Sequence, residues 1–294
     1  MTPFDDVRKL CETVLTNEPM SRHTSFKIGG PADVTAFPKT KDELISLRNF
    51  CCAEKIPVTV LGDGANVLVS DAGIRGVVIF TNKMTGMEID GTKIRADSGL
   101  RLAALAEKAA RAGLSGLEFA CGIPGTVGGA VYMNAGAYGN DISEFVEAVA
   151  LFSGAEIITK SGAEMDFGYR RSFAQTSDAL ILDATFSLSR AEPEQIREKM
   201  ADLNSRRRKS QPLEFGSAGS FFKRPEGHFA GKLIEDAGLK GFRVNDAQVS
   251  EKHAGFVVNR KNATADDVLA LMRHVQSTVL EKFGVQLEPE VRIL

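Results

Sequence analysis

The chain has 294 residues, 43% of them hydrophobic and 25% charged, with a formal net charge of -2. This length allows two domains and a large core, and the near-neutral balance disfavours a general nucleic-acid or membrane-surface binder, which needs a basic field. No apolar run approaches the roughly 20 residues of a membrane span. The opening MTPFDDVRKLCETVL carries acids where a signal peptide has a basic head and an apolar centre, so a cytoplasmic protein is expected.

In chain order, a first helix is expected before Asn17, then a strand at DVTAFP and a helix at KDELISLRNFCCAEK. PVTVL, NVLVS and GVVIF read as short β-branched strands separated by glycine-rich turns. LRLAALAEKAARAGL is a strongly amphipathic helix ended by Gly113. Strands at FVEAVALF and DALILDATFSLS close this half. The texture changes at AEPEQIREKMADLNSRRRKSQP, a charged helix and Pro-containing connector, which places a boundary near 190–212. Residues 1–190, in two subdomains of about 1–81 and 82–190, and residues 191–294 are the expected domains. The last part reads as mixed α/β, with a helix at HFAGKLIEDAGL and a strand at AGFVVN. A long helix follows, with Thr264 as N-cap, Asp266 and Asp267 in its first turn and Gly284 after its end. LEPEVRIL is a closing strand.

The four cysteines form no CxxC pair and the four histidines show no ligand spacing, so no metal site is expected. Cys121 lies beside glycines with no neighbouring base in sequence, which favours a structural thiol.

Two glycine-rich runs carry the chemistry. VLGDGANVLVSD fails the dinucleotide fingerprint, because Val67 stands where the third glycine would fall and strand-like residues follow. Alone, it reads equally well as a tight hairpin with positive φ at Gly62 and Gly64. The second run, GIPGTVGGAVYMNAGAYG, also replaces side chains by bare backbone, and Gly128 and Gly129 precede a possible short helix. Exposed N–H groups and a helix N-terminus suit a diphosphate. Together the runs point to a pyrophosphate-bearing cofactor on a scaffold that is not a Rossmann fold. Tyr169, Arg170 and Arg171 follow a polar loop, Glu290 lies in an apolar strand, and RRRK at 206–209 is a charge run; each also has a plain surface reading. In GSAGSFFKRP, Ser220 follows small residues that let something approach closely.

These pieces, with NEPMSRHTSFKIGGPAD, GLEFACGIPGTVGGAVYMNAGAYG, YRRSF and EPEVRIL, resemble in order and over nearly the whole chain the UDP-N-acetylenolpyruvoylglucosamine reductases of bacterial cell-wall synthesis. The resemblance implies an α+β protein: a vanillyl-alcohol-oxidase-type FAD-binding region and a C-terminal α+β substrate domain. It implies non-covalent FAD, NADPH as hydride donor, a UDP-sugar substrate, and catalysis by Ser220 as proton donor with Arg170 and Glu290 flanking the reacting group. The implied flavin contacts are Gly62, Asp63, Gly64, Ala65 and Asn66 in the first run. In the second they are Ile123, Pro124, Gly125, Thr126, Gly128, Gly129, Ala130, Asn134 and Gly136. Tyr169 and Lys223 are the expected substrate contacts. The chain resembles the shorter form of the family, ending just after Glu290 without the longer form's tyrosine-bearing loop. Asp63 and Ala65 replace a glycine and a serine common in the family, and Gly216 stands where many members have proline.

The chemistry is coherent. Hydride delivery to the β-carbon of an enolpyruvyl ether leaves charge on the α-carbon and its carboxylate, which Arg170 can stabilise. That carbon is basic enough to take a proton from a serine, and Phe221 beside Ser220 is expected to exclude water. Ser220-Phe-Phe-Lys223 also fits SxxK, but neither SDN nor KTG occurs to complete a serine acyl-enzyme. An oxidase on the same scaffold is the nearer rival, although neither glycine run holds a histidine for covalent flavin attachment. A non-enzymatic nucleotide-binding module is the third alternative.

Overall fold

The computed structural model describes residues 3–294, with side chains described from residue 6. The chain divides into two compact units. The first comprises Met1–Thr16, Val34–Asp63 and Gly76–Arg206, and the second Asn17–Asp33, Gly64–Arg75 and Arg207–Leu294. One crossing falls in the charged helix where the sequence changes texture. The expected single boundary is nevertheless incomplete, because two early segments belong to the second unit. Backbone hydrogen bonds bind them there: Gly30 N to Ser70 O at 2.9 Å, Ser70 N to Leu294 O at 2.7 Å and Ser217 N to Ser25 O at 3.2 Å. Such bonds leave no trace in a hydrophobic pattern.

The α-helices among the described residues are α1 Pro3–Leu10, α2 Lys41–Ala53, α3 Leu102–Arg111, α4 Val127–Met133, α5 Pro193–Ser210, α6 Ala230–Asp236 and α7 Ala265–Phe283. In the first unit a five-stranded sheet runs in the order Ile157–Ser161, Val146–Phe152, Leu180–Ser187, Lys93–Asp97, Met87–Asp90. All its neighbours are antiparallel. The helix α3 buries Leu102, Leu105, Ala106, Ala109 and Ala110 against this sheet's core, the i, i+3, i+4 stripe seen in sequence. Its last turn carries Lys108 and Arg111, which suit a helix C-terminus.

A four-stranded sheet in the order Val14–Pro19, Pro31–Ala36, Ile74–Phe80, Val58–Leu61 carries α2, whose Leu44, Leu47 and Cys51 are buried. The expected helix before Asn17 stops at Leu10, and β-branched Val14 and Thr16 begin a strand instead. The hairpin reading of VLGDGANVLVSD is also overturned. Val58–Leu61 pairs in parallel with Val77–Phe80, whereas Val67–Leu68 pairs in parallel with Arg292–Ile293.

In the second unit an antiparallel sheet runs in the order Gly216–Ser220, Phe256–Asn259, Ala247–Val249, Arg243–Val244. Its core holds Phe26, Phe221, Ile234, Val257, Leu271 and Val275. The N-terminus of α7 has the expected Thr264 cap, reciprocated by Asp267, and Gly284 ends it at φ 68°. A third capping side chain joins from outside the helix: Asp71 accepts from Ala265 N at 2.9 Å and Asp266 N at 3.0 Å. Among the described residues, no helix is long and apolar enough to cross a membrane.

Candidate functional site

In the first unit, Gly62 closes the strand Val58–Leu61 and faces Thr126: a Cβ there would stand 2.2 Å from the threonine Oγ1. Leu102 N donates to Gly125 O at 3.0 Å, and Gly125 has φ +116°. The two glycine-rich runs therefore meet through Gly62 and the residue that caps α4. Asp63 beside them accepts from Arg101 Nε at 3.1 Å and Asn82 Nδ2 at 3.4 Å.

The N-terminus of α4 is not the anion seat expected from sequence. Its first three amides are already used: Val127 N by Leu100 O at 2.8 Å, Gly128 N by Ser98 O at 2.8 Å, and Gly129 N by Thr126 Oγ1 at 3.3 Å. What the run does offer is an uncovered face. Gly129 is exposed, and a Cβ there would meet only Thr126 Oγ1, at an ordinary 3.7 Å. A helical glycine costs up to about 1 kcal/mol relative to alanine, and no protein packing requires this one. Two residues bonded to these runs, Asn82 to Asp63 and Ser98 to Gly128, each have a buried polar atom without a hydrogen-bond partner, Asn82 Oδ1 and Ser98 Oγ. An uncovered glycine face and unpaired polar atoms fit a ligand rich in hydroxyls and N–H groups, as FAD is. Neither Asn82 nor Ser98 is signalled by sequence, since nothing marks an orphaned atom before the fold is known.

Other members of the second run are occupied by the protein. Ala130 is a core residue, and Gly136 packs in a two-residue ladder where a Cβ would meet Asn140 O at 2.8 Å. Ile123 N bonds Ala120 O at 3.0 Å, and Pro124 is exposed. Asn134, in the left-handed conformation that ends α4, gives both ends of its side chain to neighbours. Its Nδ2 donates to Gly168 O at 3.0 Å, and its Oδ1 accepts from Ser143 N at 3.1 Å.

Asn134 thereby holds the turn that bears Tyr169 and Arg170. Gly168 and Arg171 exchange both backbone bonds at 3.1 Å, leaving those two residues at the tip. Arg170 has φ 54°, at the third position of a turn where glycine is usual. Its Nη1 reaches Asn134 O at 3.4 Å, its guanidinium lies 5.3 Å from the Tyr169 ring, and Gln175 Nε2 donates to its carbonyl at 2.9 Å. A non-glycine residue in this region costs about 1–3 kcal/mol and persists only when its surroundings enforce it.

In the second unit, the strand Gly216–Ser220 slips register against Phe256–Asn259 between Ser217 and Ser220, with Gly219 at φ 80°. The bulge turns Ser220 outward to solvent while Phe221 is 1% exposed. Phe221 is thus a core anchor rather than the expected water shield, its ring edge-on to Phe26 and Phe222. Its carbonyl accepts from Glu290 N at 2.8 Å, and Asn66 Nδ2 donates to Glu290 O at 3.2 Å. The Glu290 peptide is held on both sides, and Asn66 spends its amide there. Phe221 N donates to Gly255 O at 2.8 Å, while Gly255 N donates to His253 Nδ1 at 3.1 Å. Burial holds the His253 pKa below its ordinary value. Lys223 is paired to Glu288 at 3.2 Å on the surface. Gly64, at φ +60°, accepts from Ser25 N at 3.0 Å and leads through Ala65 to Asn66. Ser220, Glu290 and Asn66 are therefore brought together within this unit, as the Gly62 loop, the capped helix and the Arg170 turn are within the other.

Residues 211–294 match the family model described as UDP-N-acetylenolpyruvoylglucosamine reductase, C-terminal domain. Residues 32–167 match an FAD binding domain. A UDP-N-acetylenolpyruvoylglucosamine reductase from Caldanaerobacter subterraneus is 53% identical over 279 residues, covering 95% of this chain and 92% of that one. Its counterpart from Exiguobacterium sibiricum is 48% identical over 284 residues, covering 96% and 93%. The crystal structure of UDP-N-acetylenolpyruvylglucosamine reductase from Thermus caldophilus matches with a TM-score of 0.82 at 36% identity, over 96% of this chain and 98% of that one. A Phl p 4 variant described as a glucose oxidase shares the fold alone, with a TM-score of 0.50 at 16% identity over 66% of this chain and 45% of that one. The flavin fold is thus of the vanillyl-alcohol-oxidase type, and the likeness that extends through both units decides the family. By sequence along almost its whole length and by fold, the chain belongs to the UDP-N-acetylenolpyruvoylglucosamine reductases.

Proposed function

We propose that this FAD-dependent reductase takes its reducing equivalents from NADPH and acts in the cytoplasm on UDP-N-acetylglucosamine enolpyruvate, giving UDP-N-acetylmuramate. In this reading Ser220 is the proton donor, with Arg170 and Glu290 beside the reacting group. The observation that carries it is the exposed Ser220 hydroxyl, on a bulge whose next carbonyl accepts from Glu290 N at 2.8 Å. Gly62 to Asn66 and the open face at Gly129, with Asn82 and Ser98, are the groups we assign to the flavin.

When held by these residues, FAD would supply hydride chemistry, charged by NADPH and directed at the β-carbon of the enolpyruvyl ether. The double-bond electron pair moves to the α-carbon and into its carboxylate. The Arg170 guanidinium stabilises that charge through preorganised N–H donors. Ser220 Oγ gives its proton to the α-carbon and regains one from solvent, so one hydride and one proton saturate the double bond. A serine works as this acid because the carbon it protonates is far more basic than groups served by ordinary general acids. Tyr169, 58% exposed, is assigned to the substrate. Lys223 can leave Glu288 for a phosphate, since an exposed ion pair contributes only about 0–1 kcal/mol.

Anaerobic stopped-flow absorbance at the flavin band tests the assignment. Ser220→Ala should bind FAD, be bleached by NADPH at near wild-type rate, and then fail to recover colour with enolpyruvyl substrate. Ser220→Cys should restore part of the second step. Recovery of colour by the alanine variant at the wild-type rate would remove Ser220 as the acid. Failure of the first step would place the serine in cofactor binding instead.

A further inference from the structure

Resting on that reading of Arg170, we infer that Gln175 is a positioning residue that holds Arg170 in its left-handed conformation. Gln175 follows the arginine by five residues, within the short helix Phe173–Gln175. Its side-chain nitrogen donates to two carbonyls, Tyr132 O at 2.6 Å and Arg170 O at 2.9 Å. Both partners are acceptors, so only the NH2 end of the amide can face them, and this fixes its orientation. Tyr132 lies in the last turn of α4, where carbonyls lack helical partners. The glutamine therefore ties the Arg170 peptide to the end of a rigid element that also holds Asn134.

The tie matters because of what Arg170 would do without it. At φ 54° a side chain bearing a Cβ is strained. Rotation of its peptide would relieve the strain and swing the guanidinium to a new direction. At the turn base, Arg171 N donates to Gly168 O at 3.1 Å and so holds the nitrogen side of the peptide whose oxygen is Arg170 O. Asn134 fixes Gly168, one side of the turn, and receives Arg170 Nη1 on its carbonyl at 3.4 Å. Gln175 grips the carbonyl of Arg170 itself, at 2.9 Å. Ser172 is a natural comparison: its Oγ donates to the same Tyr132 carbonyl at 2.8 Å but makes no described bond to Arg170.

The test is a set of substitutions read by the two flavin half-reactions. Gln175→Met keeps length and removes the donors. It should bind FAD and be reduced by NADPH as wild type, yet lose at least tenfold in kcat for substrate reduction with KM changed less than threefold. Gln175→Lys, which keeps N–H donors at the two carbonyls, should recover most of that loss, whereas Gln175→Glu, which turns oxygens toward them, should not. This pair gives an answer even if the methionine variant fails to fold. In an Arg170→Gly background the left-handed conformation carries no side-chain strain and no guanidinium remains to be placed, so Gln175→Met should cause no further loss. Ser172→Ala should change kcat less than twofold. Wild-type kcat in Gln175→Met or Gln175→Glu, or a full additional loss in the Arg170→Gly background, would overturn the inference. Wild-type substrate reduction by Arg170→Gly itself would instead remove Arg170 from the reaction, a distinct outcome.

Discussion

Gly128 donates its amide to the Ser98 carbonyl at 2.8 Å, so close that a Cβ on the glycine would lie 2.9 Å from the Ser98 Cβ. At its neighbour Gly129, which is exposed, a Cβ would meet only Thr126 Oγ1, at an ordinary 3.7 Å. The two glycines therefore serve different partners, one the protein and the other, in our reading, the flavin.

Gly128→Ala should cost stability of about 1–3 kcal/mol by overpacking. Gly129→Leu should leave the apoprotein as stable as wild type or slightly more so, because leucine is the better helix former. Its flavin affinity should nevertheless fall at least tenfold. Thermal unfolding of the apoproteins and fluorescence titration with FAD give both quantities. If Gly129→Leu bound FAD like wild type, the open face would belong to solvent.

Arg170→Lys keeps the charge but loses the planar fork of donors. If the guanidinium acts on charge that develops during reduction, kcat should fall roughly 100-fold or more, with a smaller change in KM. Steady-state kinetics check the split. Normal turnover by the lysine variant would make Arg170 a surface residue.

Much of this was legible in sequence, for identifiable reasons. The amphipathic stripe of α3, the cap at Thr264 and the glycine at 284 are local signals, and each appears where the pattern puts it. Ser220, Arg170 and Glu290 stood out only within motifs, because an exposed serine or a left-handed arginine has no compositional signature. The strands Met87–Asp90 and Lys93–Asp97 were missed although Asp90-Gly91 marks their turn, Gly91 having φ +60°. Gln175, Asn82 and Ser98 were invisible because their roles depend on which backbone atoms the fold leaves unpaired. The same holds for Asp71, which reads as the end of a glycine-rich loop.

Asp71 accepts from two amides of α7 while Thr264 caps a third at 3.1 Å. A carboxylate at a helix N-terminus gains from both the hydrogen bonds and the dipole. Asp71→Ala should lower stability by about 1–2 kcal/mol, and Asp71→Asn by less, since an amide oxygen still accepts one bond. Urea unfolding midpoints at constant slope provide the measurement. Equal losses in the two variants would show that the charge, rather than the acceptor, does the stabilising.

Asp183 is 3% exposed and receives Arg95 Nε at 2.9 Å, Arg95 Nη2 at 2.8 Å and Lys41 Nζ at 2.5 Å. Lys41 also pairs with Asp97 at 2.9 Å, so the cluster ties α2 to two strands of the five-stranded sheet. Burial alone would raise the Asp183 pKa, but the hydrogen bonds from Arg95 and Lys41 outweigh it and hold the carboxyl below its usual range. The sign follows from linkage. A group whose pKa is depressed on folding stabilises fully above its unfolded value, about 3.9 for an aspartate, and loses that contribution as pH falls through the folded value. His253, also depressed on folding, begins to lose its contribution at higher pH, below the ordinary histidine value of about 6.5. Lys41 is shifted the other way: burial lowers its pKa, but the bonds to Asp183 and Asp97 win and raise it, so its share is lost only in strong alkali. Acid unfolding should therefore show two components. His253→Gln should flatten the loss that begins near pH 6.5 and leave the steeper fall below about pH 4. Asp183→Asn should cost about 3 kcal/mol at pH 7, the lower end for breaking a buried pair because Arg95 remains partly solvated. It should also flatten the fall below pH 4, which differential scanning calorimetry across pH 3–8 would resolve. If the Asp183→Asn protein lost stability below pH 4 as steeply as wild type, the acid limb would arise from other carboxylates.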